Sequence, residues 1–238
     1  MNTIINIKNR ILFQNAACII VNKLKGEAVE GARDGVADLR LGLKGLFDTE
    51  TVEAVHRLDV PVTGCALFAL NQNALVFLNS AFAGKNKNSV EKHYWAVVEK
   101  PPFDLPESGE AVHWIETNPR KNKSFAYNES APGRKKASLR YRVAGQGRNY
   151  LFLEVQLLSG RHHQIRAQFS AMGLYIKGDL KYGAKRSEKG GGIRLHARGL
   201  CFPDPLNPGE KVCVTADVPD ADALWGGFFT IASGDRPV

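Results

Sequence analysis

Nowhere in this 238-residue chain do about 18 uninterrupted apolar residues occur, and no long apolar stretch follows a basic start. Neither a membrane-spanning helix nor a secretory signal is expected, and the expected location is the cytoplasm. Cysteine is scarce. Cys18, Cys65, Cys201 and Cys213 are widely spaced with no CxxC pair, which argues against a zinc ribbon or a dithiol redox motif and leaves reduced thiols as the expectation. The adjacent His162 and His163 would point about 100° apart on a helix and make a poor metal pair, so no metal is expected. Internal repeats, low-complexity tracts and a convincing interdomain linker are also missing, which points to one domain over residues 1–238.

What is present is a globular composition with an excess of cations. Apolar residues make up 44%, enough for a sizeable core. Lysine and arginine outnumber acids 32 to 24, a net charge of +8, and the pI is near 9.4. Attraction to a polyanion follows, with nucleic acid the first candidate.

Apolar patterning gives mostly strands. Ile11–Phe13 and Cys18–Asn22 read as a hairpin around Gln14-Asn15, and a Gly-rich, mixed-charge surface loop is expected from Lys25 to Gly45. Cys65–Leu70 suits a buried strand, and Leu75, Leu78 and Phe82 are spaced for a helix over Asn73–Phe82. Val90–Val98, Ala111–Ile115, Ala137–Val143, Tyr150–Leu158, Ile193–Phe202 and Lys211–Ala216 read as further strands. Ser159-Gly160 can cap a helix that carries Ile165, Phe169 and Met172 on one face, leaves Arg161 and Arg166 off it, and stops at Gly173.

Two stretches carry chemistry. Val55–Gly64, reading VHRLDVPVTG, sets the carboxylate of Asp59 close to Arg57 among apolar residues. Between Asn118 and Lys136 the cations Arg120, Lys121, Lys123, Arg134, Lys135 and Lys136 surround Phe125 and Tyr127, a combination suited to RNA phosphates and splayed bases.

His56-Arg57-Leu58-Asp59 with Thr63-Gly64, Lys92-x-Tyr94-x-Ala96, Gly160-Arg161-x-His163-Gln164-Ile165-Arg166, Gly178-Asp179 with Tyr182-Gly183, and Leu195-His196-Ala197 together resemble the RluA-type pseudouridine synthases. The order and rough spacing agree from about Ile11 to Val214. The resemblance implies an α+β fold, a mixed, mostly antiparallel sheet with flanking helices and a central RNA-binding cleft. It also implies an isomerase that breaks the bond from uracil N1 to ribose C1′, turns the base and rejoins it through C5, with no cofactor. Structured RNA, ribosomal or transfer, is the implied partner, and a monomer is expected.

Roles follow residue by residue. The resemblance makes Asp59 the reactive carboxylate, either a nucleophile or the base that removes a ribose proton. It makes Arg166 its cationic partner, whose fork can hold a carboxylate ionised in a dry site. Tyr94 becomes a stacking and proton-relay tyrosine, and Arg57 the side chain that fills the space left by the extruded nucleotide. Arg161 is expected to hold phosphate or wall the site, Asp179 and Tyr182 to brace the turn after the helix, and Leu195 to form part of the uracil pocket. The basic stretch corresponds to a hairpin that closes on RNA.

The chain departs from the family pattern at Val60-Pro61-Val62, Leu24, Gln168 and Asp204, and the resemblance, which starts close to residue 1, leads to the expectation of a catalytic domain without the small N-terminal RNA-binding domain that many relatives carry. Two rivals differ in kind. A catalytically silent RNA-binding protein of the same fold would not need Asp59, Tyr94 and Arg166 together. An aspartate-dependent hydrolase would need a second acid or a metal cluster, and neither stands near the matched motifs.

Overall fold

Segments in which apolar residues alternate or run together become strands, because the pleat sends successive side chains to opposite faces and packing selects the apolar ones. The computed structural model describes residues 7–84 and 90–226. Two compact units divide the chain: Met1–Lys92 with Ala197–Pro219, and His93–His196 with Asp220–Val238.

In chain order the elements are β1 (Ile11–Gln14), β2 (Cys18–Lys23), β3 (Glu27–Ala28), β4 (Ala37–Asp38), α1 (Leu39–Phe47), β5 (Glu53–Ala54), β6 (Thr63–Ala69) and α2 (Gln72–Phe82). They continue with β7 (Glu91–Glu99), β8 (Ser108–Asn118), β9 (Lys123–Tyr127), β10 (Lys135–Gln146), β11 (Tyr150–Leu157), α3 (Gln164–Ala171), a 3-10 turn at Leu180–Tyr182, β12 (Leu195–Pro203) and β13 (Lys211–Thr215). The main sheet is mixed and mostly antiparallel, as expected, and β3 and β4 form a separate two-stranded parallel sheet.

In the first unit β1, β2, β6 and β12 are successive neighbours, with β5 on β6 and β13 on β12. Asn15 makes the first hairpin turn by accepting from the amides of Ala17 and Cys18 at 2.8 and 2.9 Å. Ile20, Leu67 and Phe202 from the sheet pack with Leu78 of α2 into one buried cluster. That helix starts one residue earlier than its spacing suggests, because the Asn71 side chain caps it by accepting from Ala74 N at 2.9 Å.

In the second unit β7, β11, β10, β8 and β9 are successive neighbours. The strand expected over Ala111–Ile115 extends to Ser108–Asn118 because β8 pairs on both edges, with β10 and with β9.

Three expectations are corrected. The stretch from Lys25 to Gly45 is not all loop: Asp38 caps α1 by accepting from Leu41 N at 3.0 Å, and Leu39 and Leu43 are buried. Cysteine spacing hid a cross-strand partner, since Cys201 and Cys213 stand opposite each other on β12 and β13 and form a disulfide, whereas Cys18 and Cys65 are buried free thiols. Helix α3 begins at Gln164, not at a Ser159-Gly160 cap; His163 enters it with φ 52°, and the Gln164 side chain accepts from Arg161 N at 2.9 Å. Gly173, with φ +73°, follows the end of that helix as expected.

Candidate active site

The Asp59 segment is a loop whose start, middle and end are each tied down. At the start, Val55 N donates to Leu67 O at 3.1 Å, and Leu67 N donates to His56 Nε2 at 3.2 Å. Burial of the imidazole against Phe82, aided by the Lys92 charge, pushes the His56 pKa down to about 4. It is therefore a neutral acceptor that anchors the loop. In the middle, Val62 N donates to Asp59 O at 3.0 Å and Leu58 is buried, while Arg57 is exposed. At the end, Gly64 has φ +113°, and a Cβ there would lie 2.2 Å from the Ala197 carbonyl oxygen. That close approach requires glycine.

Beneath this loop lies a residue the sequence did not single out. Lys23 is fully buried, and its Nζ donates to the carbonyls of Leu24, Val60 and Val62 at 2.9, 3.1 and 2.6 Å.

In the second unit Tyr94 is buried on β7. Arg166 does not lie off a packed face of α3, because residues 164–169 are buried all round. Its Nε and Nη2 donate to the two carboxylate oxygens of Asp179 at 2.6 and 2.8 Å, a side-on fork. Asp179 thus does more than brace a turn: it fixes the plane of the guanidinium. The Tyr182 ring lies 4.8 Å from the Arg166 guanidinium carbon. Its hydroxyl accepts from Ser124 N at 2.8 Å and bonds His163 Nδ1 at 2.8 Å.

His162 and His163 precede the helix, and their rings stack 3.8 Å apart instead of diverging. His162 Nδ1 bonds Ser124 Oγ at 2.9 Å. Among the described residues no group of three or more metal-ligating side chains occurs, and no helix is long and apolar enough to cross a membrane.

The basic stretch is not one hairpin tip. Arg120 and Lys121 are exposed at the turn from β8 to β9, whereas Lys135 and Lys136 start β10, opposite Ile115 and Trp114. Arg134 is already used, stacked 3.6 Å over Tyr127 with Nη1 donating to Glu129 O at 3.1 Å. Lys123 Nζ lies over the rings of both Phe125 and Tyr182, at 5.5 and 4.9 Å. Arg161 is exposed and donates from Nε to Lys136 O at 3.1 Å, joining the start of α3 to β10.

Leu195, expected in the uracil pocket, is buried and follows an arginine that organises four charges. Arg194 reaches Glu188 at 2.7 Å and Asp222 at 2.9 Å, and Lys177 also pairs with Glu188. Burial would raise the Glu188 pKa, but hydrogen bonds from Arg194 and Lys177 outweigh it and hold it low; the Arg194 hydrogen bond lowers Asp222. Depressed carboxylate pKa values stabilise the fold above their unfolded values and lose that effect as pH falls through the folded ones. Arg194→Met should therefore lower the melting temperature at pH 6, with the gap to wild type closing below about pH 4. Glu188 carries the larger share, because Asp222 is half in solvent. A gap unchanged from pH 6 to pH 3 would show that the ion cluster is not its source.

The first unit thus holds Asp59 and Arg57, and the second holds Tyr94, Arg161, Arg166, Leu195 and the basic strands. Over residues 17–171 the sequence matches the RNA pseudouridylate synthase family. The chain belongs to that family, and the activity that goes with it is isomerisation of uridine to pseudouridine in RNA.

Individual relatives agree. An uncharacterized RNA pseudouridine synthase of Zymomonas mobilis is 29% identical over 217 residues, covering 88% of this chain and 93% of that protein. Ribosomal large subunit pseudouridine synthase C of Rickettsia conorii is 31% identical over 199 residues, covering 82% of this chain and 64% of that protein. The solved structure of human RNA pseudouridylate synthase domain containing 4 shares the fold, with a TM-score of 0.73 at 20% identity over 97% of this chain and 95% of that one.

Proposed function

We propose that Asp59 is the reactive carboxylate for uridines in structured RNA, ribosomal or transfer, with Tyr94 and Arg166 completing the catalytic set. The chemistry is self-contained. The N1–C1′ bond breaks, the uracil turns, C5 bonds to C1′, and a proton lost from C5 is matched by one gained at N1, so no oxidant or cofactor is needed. Asp59 acts at the ribose or base, and Tyr94 stacks on uracil and relays the proton. Arg166 supplies a cation whose plane is already set by Asp179, so little reorganisation is needed when charge develops.

The observation that carries this reading is the Asp59 loop: a carboxylate on backbone anchored at both ends, beside an exposed Arg57 free to enter a vacated base stack. Leu195 walls the uracil, and Arg161 takes phosphate. A cytoplasmic monomer is part of the same proposal, checked by light scattering and cell fractionation. Mapping pseudouridines in total RNA from cells with and without the gene identifies the target; an unchanged map, with purified protein that binds RNA without turnover, would establish the silent RNA-binding alternative.

RNA affinity is assigned to Arg120 and Lys121 at the turn from β8 to β9, Lys123 on β9, and Lys135 and Lys136 on β10. Each cation that meets a phosphate in a loop or single strand changes the slope of log affinity against log salt by about 0.7. Changing Lys121, Lys123, Lys135 and Lys136 to Ala should weaken binding and flatten the slope by roughly one to three units, while the rate on bound RNA changes far less. Filter binding from low to high salt checks this, and a wild-type slope in the fourfold variant would mean that these cations only face solvent.

A further inference from the structure

In the stretch from Lys181 to Lys189, KYGAKRSEK, four cations accompany one acid, Glu188, and none of those cations has a place in the reaction just described. The fold withdraws the acid. Glu188 is turned inward, its side chain 8% exposed, where it accepts from Arg194 at 2.7 Å and pairs with Lys177. Lys181, Lys185, Arg186 and Lys189 all stay exposed. Among the described residues the side chains of Lys185, Arg186 and Lys189 meet no acid, so the outer surface of this loop carries positive charge alone. Like charges held so close repel one another, and a polyanion settling on them offsets that cost.

The loop is held from both ends and from beneath. Ala184 N donates to Asp179 O at 3.1 Å and Lys185 N to Glu99 Oε1 at 2.9 Å, while Gly191 N closes the far side on Glu188 O at 3.0 Å. Beneath, the chain passes close over Gly178, where a Cβ would lie 2.8 Å from Glu188 Cβ and 3.1 Å from Gly192 O. The loop leaves from Tyr182, beside Arg166, and returns at Leu195, so both of its ends stand at residues assigned to the site. Lys181 Nζ donates to Asn122 O at 3.0 Å, which sets the first cation against the turn that exposes Arg120 and Lys121. All of these residues belong to the second unit.

We propose that Lys181, Lys185, Arg186 and Lys189 form a second RNA-binding surface, which takes the phosphates of a paired stem beside the target uridine, so that the substrate is a stem-loop. The proposal rests on the chain acting on uridine in structured RNA. Two kinds of contact are separated by their chemistry. Around Lys123 and Arg134 the cations lie over the rings of Phe125 and Tyr127, and unpaired bases stack on faces of that kind. From Gly183 to Gly192 no aromatic residue occurs, so this loop has nothing for a base to stack on. It offers N–H donors only. In a paired A-form helix the base faces are stacked away and the phosphates are displayed, which is the surface such donors fit. Arg186 can fork onto one phosphate, and the lysines act as point charges.

The test measures binding, across a range of salt, to two hairpin RNAs that share a uridine-containing loop, one on a full-turn stem and one on a stem cut to its closing pairs. Turnover is followed on total RNA from cells lacking the gene. The variant combines Lys185→Ala, Arg186→Ala and Lys189→Ala, which leaves Glu188, Arg194 and Lys177 in place and should melt as wild type does. Wild type should bind the long stem about tenfold more tightly than the short one, and the triple variant should lose that preference. On the long stem its slope of log affinity against log salt should flatten by roughly two units, at about 0.9 per duplex phosphate, and on the short stem it should not change. The rate on saturating RNA should stay within about twofold of wild type. Arg186→Glu should weaken long-stem binding more than Arg186→Ala. An unchanged slope on the long stem, equal losses on both hairpins, or a wild type that binds both hairpins alike overturns the stem contact while leaving the activity standing. A wild type that forms no pseudouridine in the total RNA removes the reading on which the proposal rests, whatever the hairpins show.

Discussion

Asp59→Asn should fold, bind RNA with near wild-type affinity and form pseudouridine at least about 10³-fold more slowly, a barrier increase of about 4 kcal/mol. The substitution keeps shape and removes only the ionisable oxygen, so the loss falls on chemistry. The loop supports that separation. Its anchors are backbone groups, His56 and Lys23, and the Asp59 contact within the turn is made by the carbonyl oxygen, which asparagine retains. Turnover by the variant above a small fraction of wild type, measured as loss of tritium from C5-labelled uridine in RNA, would remove Asp59 from the reaction.

Asp179→Asn should have the largest effect on stability. It leaves the buried Arg166 guanidinium without its fork partner, and breaking one side of a buried ion pair costs about 3–5 kcal/mol. For a chain of this size that corresponds to a fall in melting temperature of roughly 10 °C. Arg166→Lys keeps the charge but loses the planar fork, and should lower turnover more than RNA binding. Replacing both partners, Arg166→Met with Asp179→Leu, separates the two roles: much of the stability should return because no charge is left buried, while turnover stays lost. Recovery of turnover in that double variant would make Arg166 a structural residue only.

The sequence announced the elements whose cause is local. The apolar run Cys65–Leu70 is the core of β6, the helical spacing around Leu78 is α2, and Gly173 stops α3. Asp59, Tyr94 and Arg166 are proposed on the resemblance alone, because motif order survives where pairwise geometry is invisible. What stayed hidden depends on register and burial between distant segments. Lys23 reads as an ordinary strand-end lysine until β2 is paired with β6, and nothing near Asp179 in sequence shows that it faces Arg166. Cys201 and Cys213 look scattered until their strands are set side by side. The basic stretch looked like one hairpin because alternation cannot show that β8 pairs on both edges, with β9 and with β10.

The amide of Ser124 offers a vantage point of its own. It lies on β9 between Lys123 and Phe125, yet its proton goes to the hydroxyl of Tyr182, the ring that also faces Arg166 and Lys123. That one N–H resonance, followed by NMR or by hydrogen exchange, therefore works as a gauge of how firmly the edge strand sits on the helix turn. Titrating RNA against it would record whether the strand stays seated or lifts as substrate arrives, with no label added and no residue changed.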